Sequence, residues 1–134
     1  MKVFAIGALL ASAVALAVPP KGNPERGRVA FQKCYACHDM APAKDVAGPS
    51  LHAIVGRPIA ARPGYDYSPA LRRLAEREGR WSEALLDRFL ADPEAVAPGT
   101  AMTFTGMRDP QERADLMAWL RQPAPRLDST GRDE

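Results

Sequence analysis

Small and apolar residues recur at helical spacing in three stretches of the chain. Gly27, Phe31 and Cys34 share one face, Leu85, Leu86, Phe89 and Leu90 a second, and Leu116, Trp119 and Leu120 a third. Polar residues punctuate these faces. Asn23-Pro24, Ser68-Pro69, Ser82 and Asp109-Pro110 each supply a side chain suited to capping a helix start, three of them with proline at the first helical position. Glu112, three residues after Asp109, is placed to return a hydrogen bond as in a capping box. Gly79, Pro93 and Pro123 supply the stops. The pattern predicts helices over 24–36, 69–77, 82–91 and 110–121. No run alternates apolar and polar residues as a half-buried strand would, and no segment repeats, so the expected fold is all-α with about four short helices.

Helices this short bury little against one another. The intervening segments 39–67 and 92–109 are also longer than the loops of most compact domains. Both features point to a large apolar object at the centre of the fold.

The ends of the chain read differently from the middle. Lys2 is followed by an apolar run over residues 3–18 and by Ala15-Leu16-Ala17, the small-residue pattern of a cleaved secretory signal. The run is shorter than the roughly 20 residues a membrane-spanning helix needs. Residues 1–17 are therefore expected to be a signal peptide, 18–122 a single domain, and 123–134 a polar, disordered tail. Loss of 1–17 removes one lysine and lowers the formal charge from +2 to +1. So small a charge, without a basic cluster, excludes phosphate neutralisation as the main business of the chain.

Export also changes what the two cysteines mean. In an oxidising compartment a pair of thiols is joined or otherwise consumed. Cys34 and Cys37, the only cysteines, stand in "QKCYACHDM" with His38 directly after the second. On a helical turn these residues are i, i+3 and i+4 and point to one face. That spacing suits a c-type haem, whose two vinyl groups each take up a thiol while the next histidine reaches the iron. A redox dithiol needs a strand before its helix, and none precedes residue 34. A zinc set of Cys34, Cys37, His38 and His52 places two ligands on adjacent residues, which is awkward for one tetrahedral ion. Covalent haem attachment is the reading that fits.

Haem iron has a further coordination position. Of the sulfurs in the mature chain, Met40 is too close to His38 in sequence and Met117 falls in the register of the last helix. Met102, in the loop "APGTAMTF", has the reach, with His52 as competitor, although a loop histidine more simply hydrogen-bonds backbone. A thioether ligand raises the reduction potential relative to a second histidine.

Taken together, "GRVAFQKCYACH", "GPSLHAIVGR", "PGYDYSPA", Trp81, "FLADPEAVAPGTAM" and "ERADLMAWL" resemble class I cytochrome c over nearly all of residues 24–122. The resemblance implies a small all-α fold wrapped around one covalent haem c. It implies thioethers at Cys34 and Cys37, axial ligands at His38 and Met102, and the Pro49 carbonyl accepting from the His38 ring. It implies Tyr67 and Trp81 as donors to a haem propionate, with Arg57 offsetting its charge, and Gly27, Phe31, Leu116 and Trp119 as the crossing of the first and last helices. Phe89 and Leu71 depart from the usual tyrosine and asparagine. Arg28, Lys33 and Arg108 keep part of the family's basic docking ring, whereas Glu94, Ala95 and Ala101 do not. A few extra residues, "LRRLAEREG", lie between Tyr67 and Trp81 and read as a solvated helix face.

The implied function is that of a monomeric periplasmic electron carrier with no catalytic residue. It would shuttle electrons from a quinol-oxidising bc-type complex to a terminal oxidase, reaction centre or periplasmic redox enzyme. The alternatives are the haem subunit of a dedicated periplasmic dehydrogenase and, from another class, a gas-binding or peroxidatic haem protein with an open sixth position. Because the cofactor supplies the middle of the core, a Cys34→Ala/Cys37→Ala variant lacking haem should show no cooperative transition on thermal denaturation followed by circular dichroism.

Overall fold

The structure, a computed structural model, describes residues 18–123, and the expected signal peptide at 1–17 and the tail after Pro123 lie outside them. The described residues form six helical segments and no strand. These are α1 (Pro24–Ala30), α2 (Gln32–Tyr35), α3 (Pro69–Glu78), α4 (Glu83–Ala91), α5 (Pro93–Val96) and α6 (Pro110–Leu120). A single antiparallel bridge pairs Pro58 with Arg80.

The capping side chains work where the sequence placed them. Asn23 accepts from the Arg26 N–H, Ser68 from Leu71, Ser82 from Leu85 and Asp109 from Gln111. Gly79 closes α3 at φ 73°, a left-handed conformation that glycine adopts without a Cβ penalty.

Three expectations need correction. The helix expected over 24–36 divides at Phe31, whose carbonyl accepts from both Cys34 N (2.8 Å) and Tyr35 N (3.0 Å). That shared acceptor tightens the turn toward 3₁₀ geometry. A short helix, α5, begins directly after α4. Asp92 caps it by accepting from Ala95 N, with Pro93 at its first position. The same Asx-Pro signature that marked other starts was present here, but Pro93 also satisfied the reading of a stop. Glu112 does not return to Asp109; its carboxylate takes the Lys33 ammonium at 2.5 Å, across the α2–α6 boundary.

The first and last helices cross at Gly27. A Cβ there would lie 2.0 Å from the Asp115 carbonyl oxygen and 2.7 Å from the Trp119 Cβ, so only glycine permits the approach. Leu116 is wholly buried beside it. The crossing carries a buried carboxylate that the sequence did not single out. Asp115 accepts from Arg26 Nε (2.7 Å) and Nη2 (2.9 Å), the Asn23 N–H (2.7 Å) and Gln111 Nε2 (3.0 Å). With four donors on two oxygens, its desolvation is compensated.

The long segment 39–67 is tied to the turn after α3. Gly56 N donates to Trp81 O, Trp81 N to Arg57 O, and Ile59 N to Gly79 O. These bonds pair part of its backbone without a sheet.

The hydrogen bond from Arg26, ahead of the other donors, holds the Asp115 carboxyl down at about 2 against an ordinary 3.8. A depressed folded-state value means that the stabilisation is fully present above about pH 4 and is lost as the pH falls toward 2. Asp115→Asn should therefore lower stability at neutral pH and flatten the acid limb between those values. Denaturant unfolding as a function of pH checks both.

Candidate functional site

One cavity of about 550 Å³ draws its walls from most of the fold. Cys34, Cys37 and His38 reach it from α2 and the turn that follows. Pro49 and Arg57 come from the long loop, Tyr67 from the approach to α3, Trp81 from the turn before α4, and Met102 from the segment after α5. The eight residues that the resemblance implies for holding the haem thus line the same space. Leu86, Phe89, Leu90, Leu116 and Leu120 supply much of its apolar wall.

The turn carrying the cysteines continues past α2. The Cys34 carbonyl accepts from both Cys37 N (3.0 Å) and His38 N (2.9 Å), which keeps the three side chains on one helical face. His38 Nδ1 lies 2.7 Å from the Pro49 carbonyl oxygen. A carbonyl only accepts, so Nδ1 carries the hydrogen and Nε2 holds the free lone pair. Burial lowers the His38 pKa, the Pro49 bond opposes this, and the Arg57 charge adds to the lowering. The ring is therefore a neutral nitrogen donor near pH 7.

Gly48, which the sequence reading passed over, makes room for that ring. A Cβ at Gly48 would stand 2.4 Å from His38 Cε1 and 2.7 Å from Nδ1. Its place beside Pro49 in "GPSL" was the available signal, but the reason lies in a contact ten residues back along the chain.

The Cys34 thiol is not activated for redox exchange. Burial pushes the Cys34 thiol up to about 11, with Lys33 pulling weakly the other way. A reactive dithiol needs the opposite shift. Nor is the zinc set assembled. Among the described residues no group of three or more His, Cys, Asp or Glu side chains is placed to hold a metal ion. His52 lines a separate cleft with Ser50, Ala53 and Arg62, and its buried Nδ1 has no hydrogen-bond partner among the described residues. Met40, Met107 and Met117 are buried in the core, and of the described methionines only Met102 lines the cavity.

The polar end of the cavity is cationic. Arg57 is half-buried and donates through Nη1 to the carbonyls of Ser50 (2.9 Å) and His52 (3.0 Å). Burial lowers its pKa, and no carboxylate of the described residues pairs with it. A desolvated guanidinium of this kind calls for an anionic group. Tyr67 accepts from the Arg62 N–H (3.3 Å), leaving its own hydroxyl hydrogen to donate, and packs edge-to-face with Tyr65 at 4.8 Å. Tyr65 also lines the cavity and donates to the Ala47 carbonyl (3.0 Å); its i, i+2 spacing from Tyr67 was legible, its role was not. Trp81 is held edge-on by Phe89 at 5.0 Å. A large apolar space with two thiols, a neutral imidazole and a thioether on its walls and a buried cation at one end fits a haem bearing acidic substituents.

A family model described as Cytochrome c matches residues 24–123. The chain is 41% identical over 122 residues to the cytochrome c2 of Rhodomicrobium vannielii, covering 90% of this chain and 93% of that protein. Among solved structures it is similar to cytochrome c2 from Rhodospirillum centenum, with a TM-score of 0.71 and 33% identity over 78% of this chain and 100% of that one. It is also similar to cytochrome cH from Methylobacterium extorquens, with a TM-score of 0.68 and 37% identity over 75% of this chain and 98% of that one.

Gly48→Ala should displace the His38 ring from the Pro49 carbonyl. We expect a loss of about 1–3 kcal/mol, as for other overpacked sites, with an altered visible spectrum of the haem-loaded protein. An unchanged spectrum would show that the ring does not depend on this gap.

Proposed function

The chain belongs to the cytochrome c family, and from that premise we propose that it is an exported, monomeric electron carrier that holds its haem iron between His38 and Met102. The family's haem c is covalently bound, and Cys34-x-x-Cys37-His38 is its attachment motif in this chain. When bound, it supplies a one-electron couple between Fe(II) and Fe(III), and no substrate bond is made or broken.

The protein's part is to bind, orient and exclude water. Cys34 and Cys37 form the thioethers. His38 presents Nε2, and the Pro49 carbonyl fixes its tautomer and raises its basicity. Arg57, Tyr67 and Trp81 receive the propionates, and the Met102 thioether sets the potential high. The observation that carries this reading is that Met102, alone among the described methionines, shares a cavity with both cysteines and with a histidine whose free nitrogen is Nε2.

Delivery to the periplasm rests on the leader pattern at residues 1–17. A bc-type quinol-oxidising complex is the electron donor, and a terminal oxidase, reaction centre or periplasmic redox enzyme the acceptor. Docking is transient and small, as redox encounters are. Arg28 and Arg108 are exposed and available to steer it, whereas Lys33 already pairs with Glu112. Association should accordingly depend only weakly on salt.

Visible spectra of the oxidised, reduced and carbon-monoxide-treated reduced protein test the ligand pair. The native protein should ignore the gas. Met102→Ala should bind it readily and show a lower potential. Rapid carbon monoxide binding by the native protein would favour the gas-binding reading, and an unchanged Met102→Ala spectrum would refute the assignment.

A further inference from the structure

The segment that brings Met102 to the cavity has few ties of its own. Among the described residues, 101–106 make no backbone–backbone hydrogen bond; the next such bond is from Met107 N to Leu90 O at 2.7 Å. The Met102 N–H reaches only the nearby Thr100 Oγ1, at 3.3 Å. Apart from the packing of Met102 and Phe104 against the core, the position of Met102 therefore depends on how firmly the chain is held on either side, and upstream that means residues 96–100.

That upstream stretch is gripped by α3. Arg77 Nη2 donates to the Val96 carbonyl at 3.2 Å, and Arg73 Nη2 to the Pro98 carbonyl at 3.5 Å. The two arginines are i and i+4 on the helix and so share a face. Ala70 and Leu74 are buried on α3 and give them a fixed base. Val96 ends α5, where carbonyls lack helical partners and a cation is favoured. Both arginines belong to "LRRLAEREG", the stretch read from the sequence as a solvated face. Within 94–100, Glu94 Oε1 accepts from Gly99 N (2.9 Å) and Ala97 O from Thr100 N (3.0 Å), so the gripped stretch is also tied internally.

We propose that Arg73 and Arg77 are positioning residues for the sixth ligand: together they latch residues 96–98 to α3 and hold down the population of molecules in which Met102 has left the iron. The latch rests on the assignment of Met102 as ligand. It acts on local opening and not on the global fold, because both hydrogen bonds are exposed and their loss leaves the buried Ala97 and the α1–α6 crossing in place.

The test uses the haem-loaded full chain with imidazole as a competing ligand for the ferric iron. Two exposed hydrogen bonds predict that Arg73→Gln/Arg77→Gln binds imidazole about two- to tenfold more tightly than native. Each single variant should show part of the effect, and the global unfolding midpoint should be nearly unchanged. Equal imidazole affinity would overturn the latch, and so would a gain in affinity that merely tracked a fall in global stability. In a Met102→Ala background the double variant should add nothing. An unchanged spectrum in Met102→Ala would overturn the ligand assignment and the latch with it. A changed spectrum there, with no response in the double variant, would overturn the latch alone.

Discussion

With only a hydrogen for a side chain at Gly27, α1 comes within backbone contact of α6, and this approach orients much of the rest of the molecule. It directs α2 and the Cys34–His38 turn toward a cavity whose far wall includes Leu116 and Leu120 of the same α6. Asp115 and Arg26 reinforce the crossing with a doubly hydrogen-bonded ion pair whose carboxylate is buried and whose guanidinium is exposed. A buried carboxylate is costly to desolvate, and the added donors from Asn23 and Gln111 help to offset that cost. The two terminal helices thus act as a clasp, and the helices between them line a space instead of filling it.

Burial has the same chemical consequence at two different groups in that space. It raises the Cys34 thiol and lowers the His38 imidazolium, so both are held neutral. For the thiol this suppresses the nucleophilic chemistry of a dithiol. For the imidazole it keeps a lone pair available at Nε2, since Nδ1 is committed to Pro49. Arg57, on the wall and without a carboxylate partner among the described residues, is positioned by two carbonyls. These are the features of a site that binds and insulates a redox group.

The two sides of the site are secured by different means. His38 is fixed by a short local circuit in which Gly48 gives room and Pro49 gives the acceptor. Met102 packs against the core but has no backbone hydrogen bond beside it, and so depends also on the anchoring of the chain before and after it. A side chain locked by its immediate neighbours yields only when those neighbours move. One that depends on anchors several residues away is sensitive to surface contacts such as those of Arg73 and Arg77.

Much of this protein was legible in sequence because the relevant physics is local. Capping residues with proline define helix starts within a few positions, apolar spacing defines faces, and the i, i+3, i+4 placement of Cys34, Cys37 and His38 is a property of one helical turn. Other features depend on which distant segments meet, and only the tertiary structure decided them. Gly48 serves a ring on another part of the loop, Asp115 serves a partner 89 residues away, and Glu112 leaves its own helix start to pair with Lys33. His52 was a candidate ligand by residue type and is set apart from the cavity by the path of the loop. The arginines of α3 looked like solvated charge because sequence periodicity reports which face of a helix is polar. It does not report whether an unsatisfied carbonyl lies opposite that face.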